Sequence, residues 1–292
     1  MKKKTVIIML VFFLIGLLIL LYPSLSNLYN EKYQTKAIKS YEKILVDYSK
    51  EKNKEEIKRA NDYNNELNKL IDPFYNYKKL ENYNDILNIT DTGMMGYIHI
   101  PKIDVELSIY HGTSDEVLSK SVGHLEGSSL PVGGIGTHSV LSAHRGLPSS
   151  KLFTDLDKLE IGDIFTITIL QQQLTYQVDE IKVIKPTEIK YLAIDKEKDY
   201  VTLMTCTPYG INTHRLLVRG IRITGEAKTR YITTEAFKIS NIIVTSFIAA
   251  FIIIALLLIV VIKPVNKNKN IIDKYIYPSK MKKEFGGRKY AK

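Results

Sequence analysis

Residues 200–220 read Tyr200-Val-Thr-Leu-Met-Thr-Cys206-Thr-Pro-Tyr-Gly-Ile-Asn-Thr-His-Arg215-Leu-Leu-Val-Arg219-Gly and include the only cysteine of the chain. The first seven residues are rich in β-branched and apolar side chains, which predicts a strand, and the proline and glycine that follow predict a turn. A second strand is predicted from His214 to Ile223. The thiol therefore ends one strand beside a loop, and Arg215 begins the neighbouring strand.

Burial is the alternative explanation for this cysteine, because many free cysteines only fill space in a core. Two features favour chemistry. Cys206 ends its strand instead of lying in the middle of one, and cationic side chains follow it in the same short segment. A cation near a thiol stabilises the thiolate, which is the nucleophilic form.

Residues 202–206, Thr-Leu-Met-Thr-Cys, resemble the TLxTC signature of sortases, the transpeptidases of Gram-positive cell surfaces. The run from Thr205 to Gly220 is similar to the class C, pilus-assembling sortases. This resemblance implies that Cys206 is the catalytic nucleophile and that Arg215 stabilises an oxyanion. Arg219 is the alternative to Arg215, because residues four apart face the same side of a strand. Its other role would be a salt bridge at the barrel surface.

The strand predicted from His138 to Ala143 leads into His144, and Arg145-Gly146-Leu147-Pro148 then turns away. Histidine is a common proton-transfer partner of a thiol because its unperturbed pKa lies near neutrality. A structural histidine is the alternative, and His214 is a second candidate base. The resemblance to class C sortases implies that His144 is the general acid and base.

The remaining histidines are assigned no catalytic role. His99 and His111 fall in or beside predicted strands, whereas His124 and His138 are assigned to glycine-rich loops. No His or Cys pair has the spacing of a metal site. We therefore predict no metal and no cofactor.

Two apolar runs near the ends of the chain, Thr5 to Leu21 and Ile242 to Ile262, approach or reach the ~20 residues that span a bilayer. The first run also fits a signal peptide, but it has no clear cleavage site, so we interpret it as a retained signal anchor. Lysines flank both runs on their outer sides, which predicts cytoplasmic termini and an extracellular catalytic domain at the cell membrane. The formal net charge of +10 is concentrated in no nucleic-acid motif, so nucleic acid is not a predicted partner.

Between the first run and Leu70 the sequence contains apolar residues at helical spacing, for example Ile38, Tyr41 and Leu45. This pattern predicts two amphipathic helices that join near Lys50 to Lys54. Asp72-Pro73-Phe74 follows and ends the helical pattern. The resemblance implies that this motif is a lid, with Asp72 paired to a cation such as Arg215 and Phe74 covering the thiol.

From Gly93 onward, short β-rich runs replace the helical pattern and predict a closed or nearly closed barrel. The predicted strands cover 95–100, 105–110, 138–143, 164–170, 174–183, 200–206 and 216–223, and short helices are predicted at 115–121 and 152–159. The fold class is thus mainly β: a sortase-like closed β-barrel with short helices, preceded by a helical and lid region and flanked by two transmembrane helices. The predicted segments are a signal anchor (1–22), a helical region with the lid (23–92), the catalytic barrel (93–225), a linker (226–240), a second transmembrane helix (241–262) and a basic cytoplasmic tail (263–292).

The resemblance implies a membrane-anchored cysteine transpeptidase that cleaves an LPxTG-like sorting signal through a thioacyl enzyme. Its partners would be pilin subunits, one of which supplies an acceptor lysine. A housekeeping sortase that attaches proteins to peptidoglycan is one alternative, although the lid motif and second span argue against it. A non-catalytic assembly or binding module is the other. A papain-like protease fits poorly, because its cysteine would open a helix early in the mature domain.

Overall fold

The computed structural model describes residues 3–223 and 248–254. The chain divides into two compact units, residues 22–237 and residues 1–21 with 238–292. Helix α1 (Lys3–Val46) contains, among the residues described, the one helix segment long and apolar enough to cross a membrane, Val11–Val46. Of the predicted second span, only the helical residues 248–254 are described. The predicted linker and tail lie outside the described residues.

The polar half of α1 packs on the barrel. Ile38 and Tyr41 are buried, which agrees with the apolar stripe read from the sequence. The Tyr41 hydroxyl donates to the Met95 carbonyl oxygen at 2.7 Å and accepts from the Leu170 N–H at 2.7 Å. Because both backbone groups belong to the barrel, this single side chain fastens the helix to it.

Helix α2 (Lys50–Leu67) begins at a serine cap, since the Ser49 hydroxyl accepts from the Lys52 N–H at 3.2 Å. The junction of the two helices therefore lies at residues 47–49, before the predicted 50–54, because the capping serine decides where α2 begins. The α2 side chains Ala60, Tyr63 and Leu67 are buried. A short helix, α3 (Pro73–Asn76), and a 3₁₀ turn, Tyr77–Lys79, follow.

Eight strands close into a barrel in the order β1-β2-β3-β4-β7-β8-β6-β5, which confirms the predicted closed barrel. Their bounds are β1 Met94–Ile100, β2 Val105–His111, β3 Val122–His124, β4 Thr137–Ser142, β5 Ile164–Ile169, β6 Gln172–Ile184, β7 Asp199–Thr207 and β8 His214–Arg222. The β2–β3 and β4–β7 pairs are parallel, and the others are antiparallel. The interior is filled by alternate residues of the strands, among them Ile98, Ile109, Leu141, Ile167 and Leu203.

Strand β3 was not predicted from the sequence. It has three residues, and its central Gly123 lies so close to the Gly112 carbonyl oxygen that an added Cβ would be 2.3 Å from it. The assignment of His124 and His138 to loops is wrong, because they belong to β3 and β4. The strand predicted from His138 to Ala143 is β4, which begins and ends one residue earlier. The two short helices are at the predicted places but are shorter, α4 at Asp115–Leu118 and a 3₁₀ turn at Leu156–Lys158.

Candidate active site

Strand β7 lies between β4 and β8, and this order brings the predicted site residues together. Cys206 is directly opposite Arg215 in the antiparallel β7–β8 pair. In the parallel β4–β7 pair Ser142 is opposite Met204, and the Ala143 N–H continues the pairing by donating to the Met204 carbonyl at 3.2 Å. β4 ends at Ser142, and His144 follows two residues later, so this register directs His144 toward the end of β7 that contains Cys206.

The three residues share the outer face of the barrel. Their neighbours Ala143, Leu203 and Leu216 belong to the interior core, and side chains alternate between the two faces of a strand. Cys206, His144 and Arg215 are each partly buried. The thiol is the free cysteine of the chain. A partly exposed thiol and a guanidinium on adjacent strands, with an imidazole just past the end of a third strand, form an arrangement suited to acyl transfer.

The backbone around His144 is tied on both sides. The His144 carbonyl accepts from the Phe153 N–H at 3.2 Å, which closes the loop of residues 144–153. The Thr205 hydroxyl donates to the Ala143 carbonyl at 2.8 Å, which joins the end of β4 to β7. Because one of these bonds comes from the residue before Cys206, the histidine and the thiol share a common backbone support.

Arg145 is a supporting residue that the sequence did not single out. Its guanidinium donates to the Thr207 hydroxyl at 3.4 Å and forms an ion pair with Asp157, and only 10% of its side chain is exposed. It also lies 6.0 Å from the centre of the Tyr209 ring. The residue after His144 is therefore bonded to the residue after Cys206. The sequence feature that could have revealed this role is the position of Arg145 directly after the predicted base, His144.

Arg215 and Arg219 have different surroundings although both face outward. Arg215 donates through Nη1 to the backbone carbonyls of Asn212 at 3.3 Å and His214 at 3.1 Å. Arg219 instead forms ion pairs with Asp179 and Glu180, at 2.8 Å and 2.9 Å. Burial is the largest single effect on the pKa of Arg219 and lowers it, but the hydrogen bond and charge of Asp179, together with the charges of Tyr200 and Glu180, raise the pKa overall. Arg219 thus forms the salt bridges that were its alternative role.

An apolar cluster on the outer face extends from the candidate site and was not predicted. We call it the outer cluster. Its buried members are Val140, Ile184, Leu192 and Leu217, and Phe74, Leu125, Tyr191 and Met204 pack against them. The outside of a barrel is normally polar, so apolar residues at outward positions indicate a covered surface. The sequence could have revealed this cluster, because Met204 and Leu217 are apolar residues at strand positions whose side chains face outward.

Phe74 of the predicted lid packs in the outer cluster. The cluster also includes Met204, which precedes Cys206 by two residues in the sequence. The lid backbone rests on Gly127, where an added Cβ would be 2.7 Å from the Phe74 Cα. Asp72 has a left-handed backbone (φ 50°) and is exposed. Among the residues described, its carboxylate forms no ion pair with Arg215, so the implied pairing is not present in this structure. Hydrogen bonds of segment 71–79 lie within the segment and its immediate neighbours.

The buried histidines have structural partners. His124 is fully buried, with Nδ1 2.8 Å from the Tyr83 hydroxyl and Nε2 2.8 Å from the Ser129 carbonyl. Burial lowers its pKa to about 4. Burial also lowers the pKa of His138, whose Nε2 lies 2.7 Å from the Thr202 hydroxyl. No group of three or more His, Cys, Asp or Glu in the described part of the chain is arranged to hold a metal ion.

Comparisons with known proteins agree with this geometry. A model of the sortase domain matches residues 98–223. The crystal structure of sortase C1 from Streptococcus agalactiae is 50% identical, with a TM-score of 0.60, and the match covers 65% of this chain and 100% of that one. Sortase C from Clostridium perfringens SM101 is 46% identical, with a TM-score of 0.56 over 65% of this chain and 99% of that one.

Among curated proteins, sortase D of Bacillus subtilis is 31% identical over 132 residues, which are 44% of this chain. The chain spans 64% of that relative, slightly less than two thirds of its length. The similarity to the sortase C structures is higher and extends over the whole of their length. The chain therefore belongs to the sortase family and, within it, to the class C sortases, which are cysteine transpeptidases.

Proposed function

We propose that this chain is a pilin transpeptidase in which Cys206 is the nucleophile, His144 the general acid and base, and Arg215 the oxyanion donor. The observation that carries the proposal is the arrangement of these three side chains at neighbouring strands: Cys206 and Arg215 are opposite each other on β7 and β8, and His144 follows the end of β4. The sequence similarity to sortase C proteins supports the choice of substrate. The substrates would be an LPxTG-like sorting signal and a lysine of a second pilin subunit.

In the first half-reaction, the Cys206 thiolate attacks the carbonyl carbon of the scissile threonine–glycine bond. A carbon–sulfur bond forms, and the carbonyl electrons move onto oxygen. Arg215 donates hydrogen bonds to this oxyanion through guanidinium N–H groups that are not engaged with the Asn212 and His214 carbonyls. When the oxyanion collapses, the carbon–nitrogen bond breaks and His144 gives a proton to the departing amine. A thioacyl enzyme remains.

In the second half-reaction, neutral His144 takes a proton from an incoming lysine amine, which attacks the thioacyl carbon. Collapse of this intermediate breaks the carbon–sulfur bond and returns the thiolate. The product is an isopeptide bond between two subunits. Water in place of the amine gives hydrolysis, so a site that favours transfer must bring the amine close to the thioester.

The outer cluster is the surface on which the apolar part of the sorting signal would bind. It begins at Met204, beside Cys206, and continues to Leu217 and Tyr191, where a small cavity is also lined by Lys182 and Arg219. Phe74 occupies this surface, so the lid must leave before a peptide can bind. Its contact with the barrel is apolar, whereas its hydrogen bonds are local, and its release therefore breaks few polar contacts.

The proposed topology has two membrane spans, at residues 1–22 and 241–262, with the barrel outside the cell and both termini inside. The apolar first half of α1 supports the first span. The second rests on the sequence and on its flanking lysines.

The direct test incubates the full chain in detergent micelles, and its Cys206→Ala variant, with a Leu-Pro-x-Thr-Gly peptide and a primary amine. Mass spectrometry of the intact protein and of the products detects both half-reactions. We expect a thioacyl adduct and an amine-coupled peptide with the native cysteine alone. The same products with Cys206→Ala would refute the assignment of the nucleophile.

A second test concerns the lid. Phe74→Ala is expected to accelerate alkylation of Cys206 by iodoacetamide, because the side chain that covers the adjoining surface is removed. Tyr75→Ala is the matched control, since Tyr75 belongs to the same short helix but is 75% exposed. Equal alkylation rates for the native chain and Phe74→Ala would exclude a lid function for this segment.

A further inference from the structure

We propose that two asparagines of α1, Asn27 and Asn30, are positioning residues for the loop that carries His144. This inference rests on the proposed role of His144. The two asparagines and their loop partners, Ser150 and Lys151, form what we call the helix clamp. All four residues belong to the unit of residues 22–237.

The contacts of the helix clamp are specific. The Asn27 Oδ1 accepts from the Lys151 backbone N–H at 2.8 Å. The Asn30 Nδ2 donates to the Ser150 hydroxyl, and to the Lys120 carbonyl at 3.3 Å. Ser150 is buried, with 3% of its surface exposed. These bonds connect positions 90 to 124 residues apart in the chain, so local sequence does not require them.

The helix clamp is connected to His144 through a short length of backbone. Leu152 follows Lys151 with a left-handed backbone (φ 39°), which is uncommon for a residue with this side chain. The next residue, Phe153, is fully buried and donates its N–H to the His144 carbonyl. The loop therefore has a fixed end at α1 and a backbone bond to the histidine, so release of the helix clamp frees the segment that orients the imidazole.

Glu31 orients the amide of Asn27. The Asn27 Nδ2 donates to the Glu31 carboxylate at 2.7 Å, which leaves Oδ1 to face Lys151. Gln34, in the following turn, bonds to the barrel at Ser108 and Ser121 and shares the Lys120 carbonyl with Asn30. In the described structure none of its hydrogen bonds reaches the loop of residues 144–153. The same helix thus contains a positioning contact and a purely structural one.

The experiment measures steady-state transpeptidation by the full chain in detergent micelles, with Phe74→Ala in every protein so that the lid does not limit the rate. Asn27→Leu and Asn30→Ala are expected to lower kcat about tenfold with little change in the KM for the sorting peptide, because a misplaced catalytic group slows the chemical step. Hydrogen exchange at the Lys151 and Phe153 amides is expected to become faster. Gln34→Ala is expected to lower Tm while kcat and this exchange stay at the parent values.

Rescue separates positioning from a general loss of structure. Asn27→Asp alone brings two carboxylates together at helix positions 27 and 31, and we expect low kcat. The double variant with Glu31→Gln reverses the donor and acceptor of that bond and keeps an oxygen toward the Lys151 N–H, so kcat and slow exchange should return. Exposed Tyr29→Ala is the neutral control.

The inference is overturned if Asn27→Leu and Asn30→Ala keep the parent kcat and exchange rates, or if the double variant folds with the parent Tm but stays slow. Absence of any thioacyl adduct in the parent would instead refute the proposed function, and the exchange rates would still decide whether the helix clamp holds the loop.

Discussion

At the scale of single residues, Arg215 and Arg219 differ by what surrounds them. Arg215 is opposite Cys206 and bonds to two backbone carbonyls, whereas Arg219 is held by two carboxylates. We expect Arg215→Gln to slow thioacyl formation by about 10²–10³, the usual loss for one oxyanion donor. Arg219→Gln should leave that rate unchanged and lower the free energy of unfolding by about 1 kcal/mol. Rapid-quench kinetics measures the rate of thioacyl formation, and urea unfolding measures the stability. A large loss of rate in Arg219→Gln and none in Arg215→Gln would make Arg219 the oxyanion donor.

His124 provides a prediction about acid stability. Its folded pKa is lowered to about 4, against about 6.5 for an unperturbed histidine. Between these values the unfolded chain binds more protons, so the contribution of His124 to stability is complete above pH 6.5 and is lost as the pH falls toward 4, at about 1.4 kcal/mol per pH unit. Urea unfolding at several pH values should therefore show a flatter pH dependence for His124→Gln, which does not titrate. Identical slopes would contradict this.

At the scale of elements, the lid depends on a glycine outside it. Gly127 has a left-handed backbone (φ 87°), and a Cβ there would lie 3.0 Å from the Pro73 carbonyl oxygen and closer still to the Phe74 Cα. We expect Gly127→Ala to displace the lid and to accelerate alkylation of Cys206 by iodoacetamide as Phe74→Ala does. Gly162→Ala is the matched control, because its φ is 98° and no atom lies within 4 Å of the added carbon. Equal alkylation rates in the two glycine variants would mean that backbone strain, and not contact with the lid, changes the accessibility of Cys206.

At the scale of the whole molecule, the α1 helix is part of the catalytic unit through its polar half. Tyr41 is fully buried, and its hydroxyl satisfies one barrel carbonyl and one barrel N–H. We expect Tyr41→Phe to lower the free energy of unfolding by about 1–3 kcal/mol, since two buried backbone groups lose their partner. Urea unfolding measures the change, and Tyr29→Phe at an exposed position of the same helix serves as the control. No difference between the variants would mean that solvent replaces the lost bonds.

The sequence predicted the barrel because its strands alternate and its turns contain glycine and proline. The proximity of Cys206 and Arg215 also followed from the sequence, since their strands are consecutive along the chain. The outer cluster did not, because alternation shows which residues face outward but not what covers them. The helix clamp could not be predicted either. Asn27 and Asn30 lie in a polar part of α1, and the sequence does not distinguish an asparagine that bonds to a distant loop from one that bonds to water. Strand β3 was too short to show a period.

The pairing order of the barrel has a consequence for biosynthesis. β8 is the last of the described strands in sequence, and it pairs with both β6 and β7. If the chain is exported as in the proposed topology, the sheet stays open until residue 222 has crossed the membrane, and Cys206 has no arginine opposite it until residue 215 has crossed. A nascent chain halted earlier would present Cys206 on an unfinished sheet, without the arginine of β8. In the proposed topology and mechanism, the order of export would therefore postpone acylation of Cys206 until the barrel is complete.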